Sequence, residues 1–126
     1  MFILLMAPST QNRAYVFVIN NPGENVPSDN PMEVLKPLED KIKYAVWQLE
    51  KGENGTPHYQ GYVQWKGRGR RRQGMKTLFP RAWIDVANGS AVQNKVYCTK
   101  EECRIEGPFY VSCSMIPYND LINRTV

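Results

Sequence analysis

Histidine, cysteine and long apolar runs are all scarce in this 126-residue chain. It has one histidine, His58, and three cysteines, Cys98, Cys103 and Cys113, with no CxxC pair, so no tetrahedral zinc set appears at a familiar spacing. An odd cysteine count without a secretory leader favours reduced thiols over a disulfide framework. The apolar opening Met1–Ala7 has no basic flank and is shorter than a signal-peptide core. No stretch approaches the roughly 18 apolar residues of a membrane span, so a soluble intracellular protein with no membrane partner is expected. A GxxxxGK[ST] phosphate loop is missing, which leaves no recognisable ATPase.

What is present fits a single folded domain. Hydrophobic residues make up 42% and charged residues 22% of the chain, the balance of an ordinary globular protein. The net charge of +4 is unevenly spread: residues 66–81 hold seven cations (Lys66, Arg68, Arg70, Arg71, Arg72, Lys76 and Arg81) and no acid. The remaining nine cations face twelve acids, so a basic block sits on a mildly acidic body, an arrangement suited to local contact with a polyanion. A solvated loop or a nuclear-localisation patch is the alternative.

Apolar periodicity orders the elements. Ala14 to Asn20 reads as a buried strand closed by Asn20-Asn21-Pro22-Gly23. Asp29 or Asn30 can cap a helix that starts at Pro31 and is shortened or broken by Pro37. Lys43–Glu50 and His58–Lys66 form a hairpin, with Ala45, Trp47, Leu49, Tyr59, Gly61, Val63 and Trp65 on one face. Tyr44, Val46, Gln48, Glu50, His58, Gln60, Tyr62 and Gln64 lie on the other. The glycines at 67, 69 and 74 predict a mobile basic loop, with a short helix from Gly74 to Phe79. A strand near Ala82–Val86, a helix from about Ala91 to Glu102 and a strand at Pro108–Ser112 follow. The order β-α-β-β-α-β plus extra elements predicts an α+β, ferredoxin-like (RRM-like) antiparallel sheet with helices packed on one face.

Three clusters can carry chemistry. His58 and Gln60, two apart on a strand, point to one side, and Glu50 joins them if the hairpin register is as drawn. A carboxylate, an imidazole and an amide oxygen suit Mg²⁺ or Mn²⁺ better than Zn²⁺; a solvated Glu, His and Gln at a turn is the competing reading. Tyr97, Lys100 and Glu101 share one face if the late helix runs through them. Tyr97 can be a nucleophile towards a phosphodiester, helped by the Lys100 charge, or it can simply pack on the sheet. The basic segment and Tyr44 and Tyr62 offer phosphate contacts and base stacking, unless the tyrosines lie under a helix.

In this order, Phe17-Val18-Ile19-Asn20-Asn21-Pro22, Pro57-His58-Tyr59-Gln60-Gly61-Tyr62 and Tyr97-Cys98-Thr99-Lys100-Glu101 match the three rolling-circle-replication motifs. The chain resembles the N-terminal HUH-type endonuclease domain of replication-initiator proteins of circular single-stranded DNA viruses, of circovirus and nanovirus type. The resemblance runs from about Arg13 to Phe109. It implies an endonuclease domain over residues 13–113, an N-terminal extension at 1–12 and a C-terminal extension or linker at 114–126. It implies that Tyr97 attacks the scissile phosphate with Lys100 assisting, and that Glu50, His58, Gln60 and, in some relatives, Glu101 hold a divalent metal. Glu53 competes with Glu50 for that role. Asn20, Asn21, Tyr62, Arg68, Arg70, Arg71, Arg72 and Lys76 are the expected DNA contacts. The implied partners are single-stranded DNA at a viral origin stem-loop and the host replication machinery in the host nucleus, with room for self-association through downstream domains. Gln60 stands where the wider HUH pattern has a second histidine, a replacement also made in circovirus and nanovirus relatives. A non-catalytic single-strand-binding module on the same sheet is the alternative.

Overall fold

The structure is a computed structural model that describes residues 11–52, 55–89 and 91–112, without the side chains of residues 91, 92 and 97. Most of the two expected extensions, with Glu53, Ser90 and Cys113, lies outside the described residues. The strands are β1 (Gln11–Asn12), β2 (Ala14–Asn20), β3 (Ile42–Lys51), β4 (Pro57–Trp65), β5 (Arg70–Arg71), β6 (Trp83–Val86) and β7 (Arg104–Ser112). The helices are α1 (Pro31–Leu35), α2 (Arg72–Leu78) and α3 (Ala91–Cys98).

Five strands form one antiparallel sheet in the order β6-β2-β4-β3-β7, while β1 and β5 pair separately. The first four are the ferredoxin-like unit, and β7 extends it beyond β3. Alternation sorts the side chains as the sequence predicts: Tyr15, Phe17, Ile19, Ala45, Trp47, Val63, Trp65 and Ile84 are buried on one face, under Leu35 of α1 and Met75 of α2. Each large side chain buried there contributes about 1.5–3 kcal/mol.

Local chemistry explains the short helices. The Asn30 side chain accepts from the Met32 amide (3.0 Å) and Pro31 follows at the first helical position, so α1 starts as expected. Pro37 falls at the start of a 3-10 helix, Lys36–Lys41, that leads into β3. The two helices of the ferredoxin-like unit share one face, as expected. The third helix, α3, covers the other face: Cys98 packs with Tyr44, Val46 and Tyr62.

The basic segment carries regular structure, the strand Arg70–Arg71 and the start of α2, where a loop reaching Gly74 was expected. Gly67 and Gly69 supply positive φ (64° and 83°) for the turn, after which Arg70–Arg71 pair with Gln11–Asn12. The Tyr15 hydroxyl donates to the Arg70 carbonyl (2.6 Å), and buried Met75 anchors α2, which includes Gly74.

Candidate active site

The hairpin register puts Glu50 directly opposite His58, and Gln48 opposite Gln60, all on the face covered by α3. Asn20, at the end of β2, is opposite His58 on its other side. His58 Nε2 lies 3.3 Å from Glu50 Oε1, and His58 Nδ1 lies 3.4 Å from the Thr56 carbonyl oxygen. The Thr56 carbonyl only accepts, so Nδ1 is the donor in that contact, and Nε2 faces the Glu50 carboxylate at ion-pair distance. A histidine that binds a metal through one ring nitrogen commonly donates the other to a carbonyl in this way.

Glu50 and Gln60 are buried, at 4% and 7% exposure, and Gln60 lies diagonal to Glu50 across the pair. Imidazole, carboxylate and amide oxygen on adjacent positions fit a hard divalent cation such as Mg²⁺ or Mn²⁺. Among the described residues no three His, Cys, Asp or Glu side chains converge, so a three-donor set there needs the neutral Gln60 oxygen.

Helix α3 stops at Cys98, earlier than its apolar pattern suggests. Lys100 and Glu101 therefore stand in the following turn, not on a helical face shared with Tyr97, which corrects that expectation. The Thr99 hydroxyl donates to the Lys95 carbonyl (2.7 Å), and Arg104 Nη2 and Gln48 Nε2 take the Thr99 and Lys100 carbonyls (2.8 and 2.7 Å). Those bonds satisfy carbonyls left over at the helix end and turn the chain into β7. Tyr97 belongs to the last turn of α3; its side chain lies outside the described atoms. Glu101 is exposed.

Gln48 is the residue the sequence reading passed over. It is fully buried, donates to Glu50 Oε2 (2.7 Å) and accepts from Arg104 Nε (3.0 Å). Polar residues inside an otherwise apolar strand are the available signal, because a buried amide needs partners. Cys98, the last residue of α3, has its thiol pushed up to about 12 by burial and by the Glu50 charge, with Lys100 acting in the opposite sense. Burial raises Tyr62 to about 12 as well, with Cys98 adding to it.

The expected DNA contacts divide. Tyr62 is 2% exposed and Tyr44 is equally buried, so α3 removes both from base stacking, a correction to the assignment of Tyr62. Arg70 lies over the Trp65 ring at 4.5 Å, and Arg72 holds the Ile84 carbonyl and Asp85. Lys76 Nζ donates to the carbonyls of Pro80 (3.1 Å) and Ala82 (2.6 Å). These three cations are engaged within the fold, while Arg68 and Arg71 are exposed, as is Arg72 despite its bonds. Asn20 and Asn21 are exposed beside the hairpin; the Asn20 carbonyl accepts from Arg81 (3.1 Å), and the Asn21 amide donates to the Pro57 carbonyl (2.8 Å).

Two further surfaces emerge only from the fold. Trp83 of the edge strand β6 is 56% exposed and lies opposite Val18, which lies opposite Gln60. It therefore shares the sheet face of the candidate site, about 10 Å from Gln60 across two strand spacings. At the far end of β4, a groove of about 390 Å³ is lined by Asp40, Lys41, Trp65, Lys66, Gly67, Gly69 and Arg70, and Arg13 and Lys43 line a second groove beside it. Seven strand residues, roughly 23 Å, separate this basic end from His58.

Residues 12–101 match the family model described as "Putative viral replication protein". The chain is 40% identical over 106 residues to the master replication protein of Banana bunchy top virus, covering 84% of this chain and 33% of the relative. It is 41% identical over 90 residues to the replication-associated protein of Beak and feather disease virus (71% of this chain, 29% of the relative). It is 40% identical over 93 residues to that of Pigeon circovirus (71% and 26%). The chain thus spans about a third or less of the curated relatives it matches.

Proposed function

The chain belongs to the viral replication protein family, and on that premise we propose that it nicks and rejoins single-stranded DNA at a viral replication origin. The observation that carries this reading is the pairing of Glu50 with His58 in register, beside Gln60, under the helix whose last turn holds Tyr97. A buried carboxylate, an imidazole and an amide oxygen on adjacent positions make a donor set that a module only binding DNA does not require.

In this reading the Tyr97 phenol oxygen attacks the scissile phosphorus and the phosphorus–O3′ bond breaks. The phenol loses its proton, the departing 3′ oxygen gains one, and the 5′ end stays on Tyr97 as a phosphodiester. A 3′-OH attacking that phosphotyrosine runs the step backwards, so one transesterification serves both cleavage and joining and no ATP is consumed. Lys100, three residues on, contributes positive charge at the phosphate. Glu50, His58 and Gln60 would hold Mg²⁺ or Mn²⁺, with Glu101 as a further acid on the same turn as Lys100. The metal would supply Lewis-acid polarisation of a phosphate oxygen.

The exposed cations at the far end of β4 favour contact with the DNA backbone away from the cut, a salt-sensitive and sequence-independent contribution. Trp83 is suited to stack a base beside the site. Extension of the released 3′-OH by the host replication machinery would make this the initiating step of rolling-circle replication, in the host nucleus.

The test is cleavage of labelled single-stranded oligonucleotides carrying the origin stem-loop apex of the replicon that encodes the chain, with Mn²⁺. Wild-type protein should give a cut strand and a protein–DNA adduct. Tyr97→Phe should give neither while still shifting the DNA, and His58→Ala should lose cleavage far more than binding. Shifted DNA with no cut in any sample would favour the binding-module reading instead.

A further inference from the structure

Gln48 uses both of its amide hydrogens and its oxygen to join two sites that are far apart in sequence. Its amide nitrogen donates to Glu50 Oε2 and to the Lys100 carbonyl, both at 2.7 Å, and its oxygen accepts from Arg104 Nε at 3.0 Å. The orientation is forced, because a guanidinium only donates while a carboxylate and a carbonyl only accept. Arg104 is itself held twice, its Nη2 donating to the Thr99 carbonyl at 2.8 Å. Fully buried, Gln48 has no water to substitute for a lost partner. The guanidinium also sits where the C-terminal end of α3 presents negative partial charge.

We propose that Gln48, braced by Arg104, is a positioning residue that locks the Glu50 carboxylate and the turn after α3 into one unit. The proposal rests on the reading of Glu50 as a metal ligand and of the α3 end as the carrier of Tyr97 and Lys100. One Glu50 oxygen is tied to the Gln48 amide, which leaves the other, Oε1, turned to His58. The same amide group holds the Lys100 backbone, so the ligand and the segment that approaches the phosphate cannot move independently. A single side chain thereby sets the distance between cation and nucleophile, which otherwise depends on two flexible connections.

The experiment compares Gln48→Leu, which keeps the volume and removes all three bonds, with wild type. Mn²⁺ binding is followed by electron paramagnetic resonance, and amide hydrogen exchange is read across residues 94–101. Loss of an outer partner weakens metal binding by about 10–100-fold, so the Mn²⁺ dissociation constant should rise by that factor. Exchange at the end of α3 should quicken by roughly tenfold, as expected for losing a buried hydrogen bond of ordinary strength. Arg104→Lys leaves the β3 core intact but cannot reach Gln48 and Thr99 with one nitrogen as a guanidinium does with two. It should move both readouts in the same direction by a smaller factor, and it decides the matter if Gln48→Leu does not fold. Wild-type Mn²⁺ affinity together with unchanged exchange in the folded variants would overturn the proposal. Absence of Mn²⁺ binding by wild type would instead overturn the metal reading, and the exchange arm would still decide the clamp.

Discussion

Gly61 closes the His58-Tyr59-Gln60 run, and its replacement by alanine tests whether the core or the DNA sets that position. Gly61 lies opposite Phe17 in the β2–β4 register. A Cβ added there would stand 2.6 Å from both Cε carbons of Phe17 and nearer still to Cζ. Ordinary carbon contacts lie at about 3.5–4.0 Å, so the ring must retreat by roughly 1 Å or more. It has nowhere to go, being fully buried and stacked on Phe79 at 4.8 Å between centroids. Overpacking of this kind costs about 1–3 kcal/mol, and a central strand paired on both sides puts Gly61→Ala at the upper end. A loss of about 3 kcal/mol lowers the melting midpoint of a domain this size by roughly 10 °C. Thermal and urea unfolding of Gly61→Ala, Phe17→Leu and the double variant read the effect directly. The double variant should be less destabilised than the sum of the singles by about 1 kcal/mol or more. A Gly61→Ala midpoint within a degree or two of wild type, with no coupling to Phe17, would refute the steric reasoning.

Trp83→Ala should weaken single-stranded DNA binding by about 1–3 kcal/mol in a fluorescence titration, the usual worth of one stacked base, while leaving the melting midpoint nearly unchanged. Tyr62→Phe should leave that affinity unaltered, because the ring is buried under α3. Arg68→Ala and Arg71→Ala should each reduce the slope of log affinity against log salt by about 0.7, whereas Lys76→Ala should act mainly on stability. Cys98 and Tyr62 both titrate higher in the folded state, near 12, so unfolded chains lose those protons first as pH rises. Their neutral forms stabilise the fold fully below the ordinary thiol and phenol values, and that contribution drains away between about pH 9 and 12. Denaturation midpoints should fall across this window, and Cys98→Ala should flatten its lower part. For the same reason, a thiol reagent at pH 8 should label exposed Cys103 and spare Cys98.

Much of the fold was legible because strand alternation is a local property. Once Trp47 and Val63 are assigned to the core, parity alone sends Glu50, His58 and Gln60 to the opposite face, and the short connection makes Glu50 and His58 neighbours. The start of α1 was legible for the same reason, since Asn30 and Pro31 act within one turn. The end of α3 was not legible. It is decided by Gln48, 52 residues before Lys100, and by Arg104, which together capture carbonyls that would otherwise continue the helix. The burial of Tyr62 was hidden too, because which sheet face is covered depends on where α3 crosses. The basic run misled because its glycines suggest freedom, whereas Tyr15 and Asp85, more distant in sequence, and nearby Trp65 hold Arg70 and Arg72.

The most direct measurement is the identity of the residue that becomes linked to DNA. Protein incubated with Mn²⁺ and single-stranded oligonucleotides bearing the origin apex would be digested with protease and nuclease, and the nucleotide-bearing peptide sequenced by tandem mass spectrometry. A nucleotide 5′-phosphate on Tyr97, dependent on His58 and removed by EDTA, is the predicted result. A cut strand with no modified peptide, or a nucleotide on another residue such as Tyr59 or Tyr110, would contradict it.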